Sequence, residues 1–241
     1  MIEKIRTAGG EVFAISSEPQ HLANQAHRHW DLNFENIGDP HQEVPRVCNE
    51  RDWLTLYANR GDTEFLQRGA DWTVEHPKGF FQPGVLAVTQ SSRILYRWRS
   101  VPSEANLNGT VARPTAEHVW RCIDESLNAG DVAGDAAHDD HPVIDSPPPP
   151  RIIFMAALIA NGWFFRAKSF AYSPGTASTP VRFKRAFRRW PPFLLLWVIG
   201  FALLPQLWIL CGLLFWLAWI VIDIRATWGR MDMQEEIKAS E

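Results

Sequence analysis

No charged residue occurs between Trp190 and Ile222, a run of 33 positions reading WPPFLLLWVIGFALLPQLWILCGLLFWLAWIVI. About 20 apolar residues in helical form suffice to cross the hydrocarbon core of a bilayer. A helix that is apolar on every side has no face to show to water, so the run is expected in lipid and not in a soluble core. Directly before it, five of the eight residues Arg182–Arg189 (RFKRAFRR) are basic. Basic clusters flanking apolar runs favour the cytoplasmic side, and each cation close to an anionic surface adds about 1 kcal/mol of attraction. The sequence therefore predicts a membrane protein whose partner is lipid and whose soluble part lies on the cytoplasmic side.

As one straight helix this run would measure about 50 Å, against a hydrocarbon core of about 30 Å. Pro205 stands near its middle. Proline removes one helix hydrogen bond and clashes with the preceding turn, so it kinks or ends the helix. Two arrangements follow: one kinked span, or a helical hairpin that returns to the face it entered. Five tryptophans (Trp190, Trp197, Trp208, Trp216, Trp219) are scattered through the run and not gathered in belts at its ends, which favours the hairpin. A second apolar stretch, Ile152 to Phe165, is too short to cross alone. It is expected to lie in the interface or to cover the soluble domain.

The net charge of −3 over 241 residues hides how segregated the chain is. From Asn128 to Asp145 the composition turns small and acidic, and Pro147–Pro150 then form a stiff spacer. The expected layout is a soluble domain over 1–128, an acidic and proline-rich linker over 129–150, and a membrane-associated region over 151–241. Negative net charge, with no interleaving of basic and aromatic residues on a folded element, argues against nucleic acid as a partner. The N-terminus MIEKIRTAGG lacks the apolar stretch of a signal peptide. Three cysteines without paired spacing (Cys48, Cys122, Cys211) suit a reducing compartment and exclude a disulfide scaffold.

In the soluble half, Glu11–Ser17 reads as a strand and Pro19–Trp30 as a helix with Leu22, Ala26 and Trp30 on one face. Phe34–Ile37 is a second strand, ended by the Gly38-Asp39-Pro40 turn. The stretch from His41 to Lys78 is irregular or partly helical. Gly84–Gln90 and Arg93–Arg99 pair across a Ser91-Ser92 turn. A closing helix, Thr115–Leu127, has Thr115 as its N-cap and Ala116, Val119, Ile123 and Leu127 as its buried stripe. This order belongs to a layered α/β domain with a mixed sheet.

GEVFAISSEP, WDLNFENIGDP, GFFQPGVLAV, LYRWRSVPSEANLNG and RPTAEHVW together resemble the peroxiredoxin-like (alkyl hydroperoxide reductase/thiol-specific antioxidant, AhpC/TSA) branch of the thioredoxin fold, over residues 5 to 128. The resemblance implies a thioredoxin-like mixed sheet with flanking helices, followed here by C-terminal hydrophobic membrane helices. It implies thiol-based peroxide reduction, with a thiol reductant protein as partner and no cofactor. Pro83 matches the family's proline before the central hairpin, commonly a cis peptide; the alternative is a trans proline that opens the strand. ANGWFF (160–165) and the apolar tail look like a membrane-associated extension of such proteins.

The family also places its reactive cysteine at a helix N-terminus, where the dipole and free N–H groups lower the thiol pKa. Here the first ten residues look like the tail of that helix, and no cysteine precedes Cys48. The interior strand and cysteine loop are missing, so the fold is expected to be N-terminally incomplete, from a truncated chain or gene model, and without peroxidase activity. Cys48, beside Arg46 and Arg51, is the candidate substitute nucleophile, while Cys122 is read as packing and Cys211 as inert. Arg97 or Arg99 matches the family's thiolate-stabilising arginine, with one of the two expected to face the pocket. His76 is placed near that pocket. His138-Asp139-Asp140-His141 lies in the linker without a rigid surround, and no metal site is expected. Two functions of different class remain: a membrane-associated thiol redox protein, or a non-catalytic membrane-tethered interaction module with the same fold.

Overall fold

In the computed structural model the chain divides into two compact units, the first made of Met1–Gly61, Glu75–Pro148 and Asp232–Glu241, the second of Asp62–Val74 and Pro149–Met231. The structure describes residues 1–62, 64, 73–109, 112–130, 132–145, 147–162, 166–168 and 179–239. The architecture is mixed α/β with an apolar C-terminal helix.

The first unit opens with α1 (Ile2–Thr7), β1 (Phe13–Ser16), α2 (Gln20–His29) and β2 (Glu35–Gly38). β1 and β2 pair in parallel, Phe13 opposite Glu35 and Ser16 opposite Gly38, with α2 as the crossover. α2 buries Leu22 and Ala23, whereas Trp30, expected on its buried face, is exposed just beyond the helix end. Gly38 closes the unit tightly: a Cβ there would meet the Gln20 backbone nitrogen at 2.6 Å.

The stretch expected to be irregular holds α3 (Glu43–Glu50) and β3 (Tyr57–Asn59); positions 63 and 65–72 lie outside the described residues. β4 (Phe80–Phe81) precedes the hairpin of β5 (Gly84–Val88) and β6 (Ile94–Arg99), whose antiparallel register sets Gly84 opposite Arg99 and Val85 opposite Trp98. α4 (Ala116–Asn128) packs on that hairpin, and its N-cap Thr115 accepts a hydrogen bond from the His118 N–H. Leu95, Tyr96 and Trp98 of β6 form the core with Val119 and Ile123 of α4. The buried face of α4 is rotated from the expected stripe, with His118 buried and Leu127 exposed.

The strands form three small sheets, β1–β2, β4–β3–β7 and β5–β6, in place of the single mixed sheet expected. Among the described residues no strand bridges β1–β2 to β5–β6, so each pair stands alone. The third sheet depends on β7 (Gln234–Glu236), which follows the apolar C-terminal helices and pairs antiparallel with β3. The acidic stretch expected to be linker is also part of this unit. The Ile94 N–H donates to Asp135 (2.8 Å), the Ala136 and Asp139 N–H groups donate to the carbonyls of Ile94 and Arg97, and His138 bridges to Arg97. Carboxylates that composition assigns to solvent are recruited here by the free edge of β6. The boundary between units falls within the proline run, at Pro148.

The second unit contains α5 (Arg151–Gly162), α6 (Thr179–Phe187), α7 (Trp190–Leu203) and α8 (Gln206–Met231). α5 holds most of the second apolar stretch; it packs on α6, with the Phe154 and Phe183 rings 6.4 Å apart, and buries Ala157, Leu158 and Ala160. Residues 163–165, including the end of ANGWFF, lie outside the described residues. The helix breaks at Leu204–Pro205, as the missing proline N–H dictates. α7 and α8 then fold back on each other, Phe193 stacking on Trp216 at 5.0 Å and Trp197 lying 6.4 Å from the same ring. α8 is long and apolar enough to cross a membrane by length and composition, with 6% of its most apolar window buried.

Candidate functional site

A reactive thiol needs a positive surround, and a helix N-terminus is the usual source. None of the three cysteines lies in the first turn of a helix. Cys48 sits in the last turn of α3, at the negative end of the dipole. The N-terminus of α3 is taken by Asp39, whose two carboxylate oxygens accept from the Glu43 and Val44 N–H groups, each at 2.9 Å. Burial pushes the Cys48 thiol pKa up, and the charge of Arg51 offsets only part of that. The expected arginine effect is weak because both cations are engaged elsewhere. Arg46 donates to the carbonyls of Gln42 and His41, and the Arg51 guanidinium stacks over Trp53 at 4.8 Å. Cys211 is exposed on α8 within the charge-free run.

Arg97 and Arg99 are two residues apart on β6, so strand alternation puts them on the same face, correcting the expectation that only one could reach a shared site. Both reach the segment after α3. Arg97 donates to the carbonyls of Asp52 (2.9 Å) and Trp53 (3.3 Å); Arg99 donates to the carbonyl of Thr55 (3.0 Å) and pairs with Glu236 (3.4 Å). Each acts as a clamp on backbone oxygens. Pro83 leads β5, but no cis peptide occurs among the described residues, so the trans alternative holds. As the residue before the strand, Pro83 needs no N–H for the ladder, and its carbonyl accepts from Ser100 at 2.8 Å. His76 is half-buried against the buried Ser17, the Oγ–Nδ1 distance being 2.9 Å, while the same Oγ accepts from the Phe81 N–H. Burial lowers the His76 pKa to about 4, so the ring is neutral near pH 7.

A further cluster of polar side chains joins Asp139 and Cys122, read from the sequence as linker and packing, to Tyr96 and His118, which the sequence does not single out. Asp139, from the acidic stretch, accepts from the Tyr96 hydroxyl (2.8 Å) and lies 2.7 Å from His118 Nε2, while Cys122 Sγ is 3.7 Å from that same nitrogen. Cysteine, histidine and aspartate in sequence of contact invite comparison with a nucleophile–base–orienter arrangement. The atoms forbid it. An Arg121 guanidinium nitrogen, which can only donate, is 3.1 Å from His118 Nδ1, so Nδ1 is the acceptor and Nε2 carries the proton that Asp139 receives. Nε2 therefore has no lone pair for the Cys122 proton. Burial and the negative charge of Asp139 both raise the thiol pKa. Burial tends to raise the Asp139 pKa too, but hydrogen bonds from His118 and Tyr96 outweigh it and hold the carboxylate below its ordinary value. The cluster is a buried polar pin that fastens the acidic stretch to β6 and α4. His118 and Cys122, one turn apart, are a signal visible in the sequence; Asp139 is not, because its contact spans 21 residues. Among the described residues no group of three or more His, Cys, Asp or Glu side chains is placed to hold a metal ion.

No family model, no curated protein and no solved structure matches this chain.

Proposed function

We propose that this chain is a membrane-tethered module of the peroxiredoxin-like (AhpC/TSA), thioredoxin-type class, in which none of its own cysteines acts as a peroxidatic thiol. The observation that carries the tether is the α7–α8 hairpin, whose apolar side chains face outward without a polar stripe. The basic segment Arg182–Arg189 supports a cytoplasmic placement of the first unit. The class rests on element order: a parallel β1–α2–β2 unit, then a proline-led β5–β6 hairpin with α4 packed on it. The inactive-thiol reading rests on Cys48 and Cys122, both held protonated by burial. Such a module would hold a partner protein, a thiol reductant among the candidates, at the membrane surface.

The second reading, a thiol redox protein that reduces peroxides, is favoured by one observation. The Arg51 charge lies close enough to Cys48 to lower its thiol pKa in part, as thiolate chemistry there would require. Peroxide consumption by the whole chain and by a Cys48→Ser, Cys122→Ser, Cys211→Ser variant separates the two. Equal rates support the module; a rate that falls with Cys48→Ser alone establishes the enzyme. Carbonate washing tests the tether, which predicts retention in the membrane pellet.

A further inference from the structure

We propose that the α7–α8 hairpin is a one-sided anchor, which enters the bilayer from the face that holds the first unit, turns within the hydrocarbon, and leaves by the face it entered. This rests on the membrane reading above and adds its topology. Depth is the first argument. α7 has 14 residues, about 21 Å of helix. The charge-free part of α8, Gln206 to Ile222, has 17 residues and measures about 26 Å. α7 stops well short of a hydrocarbon core of about 30 Å, and the charge-free part of α8, though the whole helix is long enough to cross, falls a few ångström short of it.

The tip gives the second argument. Leu203, Leu204, Leu207 and Trp208 surround Pro205 and Gln206, and Leu203 and Trp208 are 78% and 74% exposed. A turn emerging into water on the far side would present charge; this one presents leucine and indole around a single amide side chain, Gln206. Thirdly, charge resumes at matching heights on the two arms. A Cβ on Gly200 would lie 3.2 Å from Ile209, and Phe193 meets Trp216, so the arms run antiparallel about the turn. In that register Arg188 and Arg189 below α7 fall level with Val221 and Ile220 on α8, within about one helical turn of Asp223, so charge resumes on both arms near a single interface.

The tail closes the argument. Asp232 follows α8 directly and belongs to the first unit, where it accepts from the Asn108 side chain. β7 pairs with β3, Arg60 binds Glu235 at 2.8 Å, and Ile237 is buried, its N–H donating to Leu56. The chain thus leaves and rejoins the same folded unit on either side of the hairpin, which a single span would forbid.

The test uses the full-length chain with its native cysteines changed to serine and one reporter at a time: Glu3→Cys, Gln206→Cys or Lys238→Cys. Inverted and right-side-out sealed membrane vesicles are treated with a membrane-impermeant maleimide. Glu3→Cys and Lys238→Cys should label from the same face, and Gln206→Cys from neither until detergent is added. Labelling of Lys238→Cys from the face opposite Glu3→Cys, or of Gln206→Cys from that opposite face in intact vesicles, overturns the one-sided anchor while leaving membrane attachment standing. Release of the protein by carbonate, measured on the same vesicles, overturns the membrane reading and the topology with it.

Discussion

The first unit and the α7–α8 hairpin treat polarity in opposite ways. In the first, polar side chains are buried and paired: His118 with Asp139, Ser17 with His76, and Asn36 with the Ala23 carbonyl. In the second, apolar side chains are exposed, Leu207, Phe215 and Ile222 each more than two-thirds accessible. Water tolerates neither pattern without compensation. Buried polar groups need partners because each unpaired one costs about 1–3 kcal/mol, and apolar patches of the hairpin's extent mark an interaction surface. On the membrane reading proposed above, the difference reflects two solvents acting on one chain. The first unit is organised around buried hydrogen bonds, the hairpin around the absence of charge from Trp190 to Ile222, with Gln206 as its one amide side chain.

The sharpest way to break this comparison is to put charge on the hairpin. A Leu210→Arg, Leu214→Arg double substitution falls on exposed positions of α8. If water surrounds them, such changes are close to neutral. In lipid, each arginine costs about 2.5–3.5 kcal/mol near the membrane centre, so the pair should shift the chain from floating membranes to the aggregated or soluble fraction in a flotation gradient. Flotation unchanged from the wild type would place the hairpin in water and remove the contrast.

A titration reads the other side. His76 has its pKa lowered to about 4 by burial, whereas an unfolded histidine titrates near 6.5. The folded state therefore holds the neutral ring, and its contribution is complete above about pH 6.5. It is lost as pH falls toward 4, by about 3 kcal/mol at the acid end. Thermal unfolding of the first unit between pH 7 and 4 should show this loss over and above that due to carboxylates. His76→Asn, which keeps an acceptor for Ser17, should flatten the excess. An identical pH dependence in wild type and variant would show that burial of this ring plays no part in stability.

How much was legible follows the range of the interactions. Local rules placed the hairpin break at Pro205, the Thr115 cap and the β5–β6 pairing, since each depends on residues within a few positions. What sequence could not show is non-local. β7 is Gln-Glu-Glu, with no strand propensity, and exists because β3 offers an edge 177 positions away, as between Ala58 and Glu235. Asp139 reads as linker until the free edge of β6 and the hydroxyl of Tyr96 are seen to claim it. The candidate site fared likewise. Arg97, Arg99 and Cys48 have the residue types that thiol chemistry needs, but their partners are backbone carbonyls and burial.

Asp139→Ala probes the pin directly. It removes the acceptor of both Tyr96 and His118, leaving their donors in a largely buried place. The expected loss is about 2 kcal/mol, seen as a lower denaturation midpoint for the first unit. Faster proteolysis around residues 132–145 should accompany it, because this stretch loses its side-chain fastening to β6 and α4. Membrane flotation should not change. A midpoint equal to the wild type would mean that the acidic stretch is held by its backbone bridges to β6 alone.

The smallest effect belongs to Gly200, where the two arms of the hairpin come closest. A Cβ there would stand 3.2 Å from Ile209 Cδ1, the movable end of a side chain, so Gly200→Ala should cost under about 1 kcal/mol. A branched side chain has no such room, because small residues at helix contacts in lipid are what allow close approach. Gly200→Ile should therefore separate the arms while leaving each helix intact. Oxidative cross-linking between Phe193→Cys and Trp216→Cys, in a background free of native cysteines, reports the separation. The cross-link should form readily in the presence of Gly200 or of the Gly200→Ala change, and fall severalfold with Gly200→Ile. Equal cross-linking in all three would show that the arms stay together without help from the glycine.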